Sequence, residues 1–338
     1  MKKLLVFFVI LTSCTKQYLP DEQSRSANVA SAVRNASEIP DEIHFTALGL
    51  YPEGIVFDRM NNRFLVSSVA KGTIGVVSYD GTYTPFIEDD DLQATIGMKI
   101  DEPRKQLIVS ATSMERDLAQ LRIYDLNTGS LVQKVDLGAL RPNSKHFIDD
   151  VTLDPQGNKY VTDAHSPIVY KVTANGAASV LFENEKYAQP DDFQFLWFGF
   201  NGIAYNKSGF LLVGFFAGPA ALLKIPVNDP DKFVEVDVDG VLGAVDGLLI
   251  SNDGKQLAAV GFDFSTEQLG VMYLRSDDKW KSAWKTDFFE TGFVTPTTLT
   301  SDGNNVYVIY SYLLEFLLGL EPRSEFIIKK VPISSKKF

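Results

Sequence analysis

Four stretches decide the architecture: Glu53-Gly54-Ile55-Val56-Phe57, Asp149-Asp150-Val151-Thr152-Leu153, Asn201-Gly202-Ile203-Ala204-Tyr205 and Asp246-Gly247-Leu248-Leu249-Ile250. Each places an oxygen-bearing side chain, then a glycine or an acid, at the head of an alternating apolar run. A polar turn and a second apolar run follow every copy, the pattern of consecutive antiparallel strands. If the copies are spokes of one wheel, their four oxygens meet at its hub.

The second runs include Phe64-Leu65-Val66, Leu107-Ile108-Val109, Tyr160-Val161, Leu211-Leu212-Val213, Leu257-Ala258-Ala259-Val260 and Val306-Tyr307-Val308. Between the paired runs lie turns such as Asp154-Pro155-Gln156-Gly157 and Ser301-Asp302-Gly303. Units therefore start near 53, 96, 149, 201, 246 and 296, at spacings of 43 to 53 residues. Such a period, with about four strands per unit, belongs to propeller blades. No stretch holds a helical period over a dozen residues. The expected fold is all-β, a six-bladed β-propeller with four-stranded blades around a central channel. Ring closure removes free edges, so the last blade is expected to take a strand from near Ile43.

Within the 338 residues, 45% are apolar and 22% charged, which is ordinary for a folded chain. A net charge of −11 argues against a nucleic-acid face, which needs clustered Lys and Arg. Residues 1–14 read as a targeting segment: Lys2-Lys3, an apolar Leu4 to Leu11, then Thr12-Ser13-Cys14. The apolar run is too short to span a bilayer, which takes about 20 residues. Leu11-Thr12-Ser13-Cys14 resembles a bacterial lipobox, implying export and a lipid anchor on Cys14, in the periplasm or at the cell surface. Residues 15–42 read as a flexible tether, and 43–338 as one propeller domain. Cys14 is the chain's single cysteine, so the domain is expected to hold without disulfides.

Glu53, Asp149, Asn201 and Asp246 share one phase, just before the innermost strand. Three carboxylates and an amide carbonyl are hard donors, suited to calcium, which takes six to eight oxygens at about 2.3–2.6 Å. Zinc would favour His or Cys. Like charges resist ionising together in a narrow channel, and a divalent cation relieves that. The alternative is that Asp-Gly and Asn-Gly simply make the turn entering each strand.

These blade heads resemble the SMP-30/gluconolactonase family. Pro52-Glu53-Gly54-Ile55 is similar to its first-blade motif, Asn201-Gly202 to its asparagine-glycine motif, and Asp246-Gly247-Leu248 to its aspartate-glycine motif. The resemblance implies an axial calcium on Glu53, Asp149, Asn201 and Asp246, with Asp149 standing where the family has asparagine. It further implies hydrolysis of a lactone or ester, the metal polarising the carbonyl and Asp246 doubling as base. A small-molecule substrate and a monomer are expected. The competing expectation is a non-catalytic propeller with structural calcium, serving as a binding scaffold.

Sugar-lactone members carry an arginine two residues before the third-blade ligand; here the residue is Phe147. With Trp197, Phe198 and Phe200 close before Asn201, the expected substrate pocket is aromatic, and an apolar lactone or ester fits it better than a sugar lactone. The same aromatics could instead pack between blades. The apolar stretch Tyr310–Leu320 breaks the strand alternation and reads as a lid, a membrane or partner contact, or a long hairpin. His44, His146 and His165 show no ligand spacing, although His146 stands three residues before Asp149.

Overall fold

A computed structural model of the chain describes residues 38–188, 199–216, 221–239, 243–263, 266–332 and 338. Cys14, the leader and almost all of the tether lie outside the described residues, as do Trp197 and Phe198.

The first described strand, β1 (Glu42–Thr46), is set aside for the end of the ring. Blade one holds β2 (Ile55–Asp58), β3 (Arg63–Val66), β4 (Ile74–Val77) and β5 (Tyr83–Ile87). Blade two holds β6 (Ala94–Asp101), β7 (Gln106–Thr112), β8 (Ala119–Asp125) and β9 (Leu131–Asp136). Blade three is β10 (Ile148–Leu153), β11 (Lys159–Asp163), β12 (Ile168–Val172) and β13 (Ala178–Glu183). Blade four is β14 (Phe200–Asn206), β15 (Phe210–Phe215), β16 (Ala221–Pro226) and β17 (Val234–Glu235). Blade five adds a parallel edge strand, β18 (Asp237–Asp239), to β19 (Ala244–Ile250), β20 (Gln256–Asp263), β21 (Gln268–Arg275) and β22 (Ser282–Glu290). Blade six is β23 (Pro296–Ser301), β24 (Val306–Tyr310) and β25 (Glu325–Val331), completed by β1.

The six-bladed reading holds, and so does the closing strand. Phe45 pairs opposite Phe326 across the β1–β25 ladder, so the two ends of the domain are joined by backbone hydrogen bonds. The one described α-helix, α1 (Leu313–Leu317), interrupts blade six between β24 and β25. It occupies the apolar stretch that broke the strand alternation.

Burial explains why the second strands read as unbroken apolar runs. Successive side chains of a strand point to opposite faces. In a propeller both faces of a blade are covered, each by a neighbouring blade. Leu211 and Val213 thus pack toward blade three, while Leu212 packs toward blade five. Leu107 and Val109 face blade one, and Ile108 faces blade three. Each of the six interfaces carries its own apolar cluster among the described residues. The hairpin turns keep their expected chemistry: Asp302 Oδ1 accepts from the N–H groups of Asn304 and Asn305, and Gly303 takes φ +95°.

The closing seam generates a first prediction. Phe326 is fully buried and meets Phe45 and Tyr51 at ring distances of 5.8 Å. Phe326→Ala is expected to cost about 3–5 kcal/mol, from lost burial and the cavity left behind. The urea midpoint of the purified domain reads this out; an unchanged midpoint would mean the seam contributes little.

Candidate functional site

Superimposing the six units in phase puts Glu53, Ile96, Asp149, Asn201, Asp246 and Thr297 at one position, one per blade. All six line a single cavity of about 130 Å³. The local cause is a bulge. In blades two to six the register of the innermost strand slips across this position and the next, between Thr95 and Met98, Ile148 and Val151, Phe200 and Ile203, Val245 and Leu248, and Pro296 and Leu299. A bulge re-aims a side chain out of the pleat, and here it turns one residue per blade into the cavity.

The residue after each of these faces the next blade around the ring. At Gly54 an added Cβ would stand 2.3 Å from the Ile96 carbonyl oxygen, and at Gly202 it would stand 2.1 Å from that of Asp246. Gly97 and Gly247 are hemmed in alike, by Asp150 and Thr297. None of the four has a positive φ. They are needed for close approach of neighbouring blades, which corrects the alternative that they merely turn the chain. Where this position is not glycine, its side chain bonds to the following blade instead. Asp150 accepts from the Ile203 N–H at 3.2 Å, and Thr298 Oγ1 donates to Glu53 Oε1 at 3.3 Å.

Further hydroxyls pin the backbone of the cavity floor. Thr297 Oγ1 donates to the Glu53 carbonyl at 2.7 Å, and Thr162 Oγ1 to the Asn201 carbonyl at 2.6 Å. The functional oxygens, by contrast, are left unused. Glu53 Oε2, Asp149 Oδ1 and Asn201 Oδ1 are buried with no hydrogen-bond partner. Leaving buried acceptors unmatched is costly, about 1–3 kcal/mol each and more for charged groups. Asp246, less buried than the other three, lines the same cavity.

Electrostatics point the same way. Burial pushes the carboxyls of Glu53, Asp149 and Asp246 well above the usual carboxylate range. Their mutual repulsion adds to it: Asp246 raises Glu53, Glu53 raises Asp149, Asp149 raises Asp246, and Asp150 raises all three. Asp150 itself is pushed by burial to about 6, against the Val151 N–H and the Lys99 ammonium. Burial in turn lowers the Lys99 ammonium, which Asp150 partly offsets. Lys99 and Asp150 both line a second cavity of about 170 Å³. Among the described residues no three His, Cys, Asp or Glu side chains form a metal-holding group by themselves. The hub set includes an amide and is looser than a closed ligation shell. Its all-oxygen donors and three unmatched acceptors nonetheless fit a hard divalent cation.

Phe147 lies on the cavity wall. Phe200 does not, and its assignment to the substrate pocket is corrected: it is fully buried between blades three and four, against Phe182, Tyr187 and Phe215. His146 also turns away from the hub. Its Nδ1 lies 2.7 Å from Asp163 Oδ2 and 3.2 Å from the Tyr170 hydroxyl. Burial works to lower this histidine's pKa, and the Asp163 carboxylate outweighs it, so the net shift is upward. Asp163 Oδ1 accepts from the N–H groups of Phe147, His165 and Ser166, fixing the chain two residues before Asp149. Sequence reasoning missed Ile96, Thr297, Lys99, Met114 and Phe216 as cavity residues. Phase alone pointed to Ile96 and Thr297, since units start at 96 and 296.

Fold and site define a six-bladed propeller with an oxygen-lined hub. Several solved structures are similar in fold to this chain over most of its length. The major allergen Mala s 1 of Malassezia sympodialis is 18% identical, with a TM-score of 0.68, over 87% of this chain and 97% of that one. A gluconolactonase from Xanthomonas campestris is 13% identical, with a TM-score of 0.57, over 88% and 92%. A regucalcin from Agrobacterium tumefaciens, described as a calcium-binding protein, is 14% identical, with a TM-score of 0.56, over 86% and 96%. At these identities the likeness is one of fold. No family model matches the chain. No curated protein sequence matches it either.

The close approach of the blades predicts the behaviour of one variant. Gly202→Ala must push Asp246 and Asn201 apart, so it is expected to lower the Tm and to weaken any divalent-ion binding at least tenfold by calorimetry. Native-like affinity would remove the account of the hub glycines given above.

Proposed function

We propose that the hub binds one calcium ion and that the cavity above it hydrolyses a lactone or ester. One observation carries the reading: unmatched buried oxygens from three blades, joined by the carboxylate of a fourth, gather at one cavity. The gluconolactonase and regucalcin folds lend support, since they show that this architecture hosts both a lactonase and a calcium-binding protein.

Glu53, Asp149, Asn201 and Asp246 would hold the ion. Bound there, it would supply Lewis-acid polarisation of an acyl carbonyl oxygen. The chain's own residues do the rest. Asp246 lines the cavity, where its carboxylate accepts a proton from the water whose oxygen bonds to the acyl carbon. It returns that proton to the alkoxide oxygen as the acyl–oxygen bond breaks. With an ion bound, Glu53 and Asp149 would be ionised; Thr298 orients Glu53, and Phe147 limits bulk water at the wall.

Removing the ion exposes the repulsion at the hub. Glu53, Asp149 and Asp246 have raised pKa values in the fold against ordinary values of 4.5, 3.8 and 3.8. The folded chain then holds protons that the unfolded chain has lost, so this group's contribution to stability declines as pH rises above those values, through about 6 for Asp150. Calcium requires the ionised ligands and reverses the decline. At a hundredfold excess over Kd and pH 7, calcium is expected to add about 2.7 kcal/mol to an EDTA-treated sample. A Tm rise of about 5 °C would follow, shrinking toward zero near pH 4. An equal rise at both pH values, or none, counts against the site.

Activity is tested on a panel of lactones and esters. Turnover is expected to vanish with EDTA and to return with calcium. Asp246→Asn is expected to lower kcat by about a hundredfold or more while calorimetry still detects the ion. Undiminished turnover would dismiss Asp246 as base. Calcium binding with no turnover across the panel would leave a calcium-pinned binding scaffold.

A further inference from the structure

The cavity is divided by chemistry. Its floor carries the oxygens of Glu53, Asp149, Asn201, Asp246 and Thr297. Its sides and top are carbon: Val69, Ile96, Met114, Phe147 and Phe216 on the walls, and Leu313, Leu314 and Leu317 of α1 above. Among the described residues that line it, Thr295 supplies the one polar side chain off the floor, and none is Lys, Arg, His or Gln. Away from the floor, a sugar lactone entering here would surrender the water on its hydroxyls and find Thr295 alone, among the described lining residues, to replace it. A hydrocarbon substituent would lose only unfavourable hydration.

The position of α1 is fixed from several sides. Leu313 and Phe316 pack on the cluster of Val69, Ala94, Ile96, Phe147 and Ala164 at the channel mouth. Phe316 also meets the Tyr51 ring at 5.2 Å. Arg323 forks onto Glu315, Nε to Oε2 at 2.8 Å and Nη2 to Oε1 at 2.6 Å, while its guanidinium lies 3.7 Å from the centre of the Tyr312 ring. The Arg323 N–H donates to the Tyr51 hydroxyl at 3.0 Å. Tyr312, just ahead of the helix, takes φ +52°, a left-handed conformation uncommon for an aromatic residue. The five-residue helix has no side-chain N-cap; at its other end the Leu318 N–H donates to the Leu314 carbonyl and the Gly319 N–H to that of Phe316, both at 3.0 Å.

We propose that α1 is the specificity element of the candidate site: Leu313, Leu314 and Leu317 form an apolar roof that selects lactones or esters bearing a hydrocarbon substituent over polyhydroxylated ones. The proposal rests on the hydrolase reading for the reaction, but not for the binding preference. Substrate seats its ester group toward the oxygens of the floor, and its hydrocarbon portion lies between the roof and Phe147. Among the described lining residues, selection comes from the scarcity of hydrogen-bond partners off the floor as much as from contact with the leucines.

The test uses two non-hydrolysable probes, δ-decanolactam and gluconolactam, titrated by calorimetry into the calcium-supplemented protein. The native protein is expected to bind the decanolactam at least tenfold more tightly. Leu314→Ser with Leu317→Ser is expected to lose at least tenfold for the decanolactam and little for the gluconolactam. Leu314→Met with Leu317→Met restores most of the loss. Phe293→Ser, an 86% exposed apolar residue that does not line the cavity, serves as a control and leaves both affinities unchanged. Tighter binding of gluconolactam, no decanolactam binding, or affinity indifferent to both leucines overturns the proposal. Leucine-dependent decanolactam binding with no lactone or ester hydrolysed would sink the hydrolase reading and leave the roof standing. Calcium-dependent hydrolysis with no such dependence would do the reverse.

Discussion

Everything in this molecule turns on carboxylates forced together at the axis of a closed ring. Six innermost strands can meet there only if their backbones come nearly into contact, and at Gly54, Gly97, Gly202 and Gly247 no side chain fits between them. The same approach brings Glu53, Asp149 and Asp246 close enough to raise one another's pKa values. Burial of six interblade clusters supplies the favourable energy that holds the hub together against that repulsion. A cation at the hub would turn the same repulsion into attraction, so the acids are a cost to the bare fold and an asset to the loaded one.

Asp150 shows how the ring distributes this load. It occupies the position held by glycine in four other blades, and its carboxylate ties blade three to the Ile203 N–H of blade four. Lys99, from blade two, lines the same cavity and offsets part of the rise that burial imposes on Asp150. An aspartate bonded to the next blade thus takes the place of a glycine contact. The extra acid this brings near the hub adds to the repulsion felt by Glu53, Asp149 and Asp246.

The blade count, the closing strand and the hub acids could be read from the sequence because each repeats in phase, and a repeat averages over the ambiguity of any one segment. What escaped was local geometry. Phe200 looked like a mouth residue because it adjoins Asn201, yet neighbours on a strand point to opposite faces, and Asn201 already faces the axis. Phe147 lies just ahead of β10, outside the strand's alternation, and lines the cavity. The bulges could not be foreseen, because they depend on how closely adjacent blades approach rather than on any residue type. Nor could His146 be placed, since Asp163, its partner, lies in another strand.

Helix α1 belongs to neither the repeat nor the hub, and its stability has to be local. Five residues cannot sustain a helix alone, because nucleation costs more than so few hydrogen bonds return. The Glu315–Arg323 pair is partly exposed, and such pairs contribute roughly 0–1 kcal/mol. Contacts of Leu313 and Phe316 with the mouth of the channel must therefore carry most of the weight. The segment that shapes the entrance is thereby held by the same apolar surface that lines the site, so anything that fills the cavity with hydrocarbon also steadies its roof.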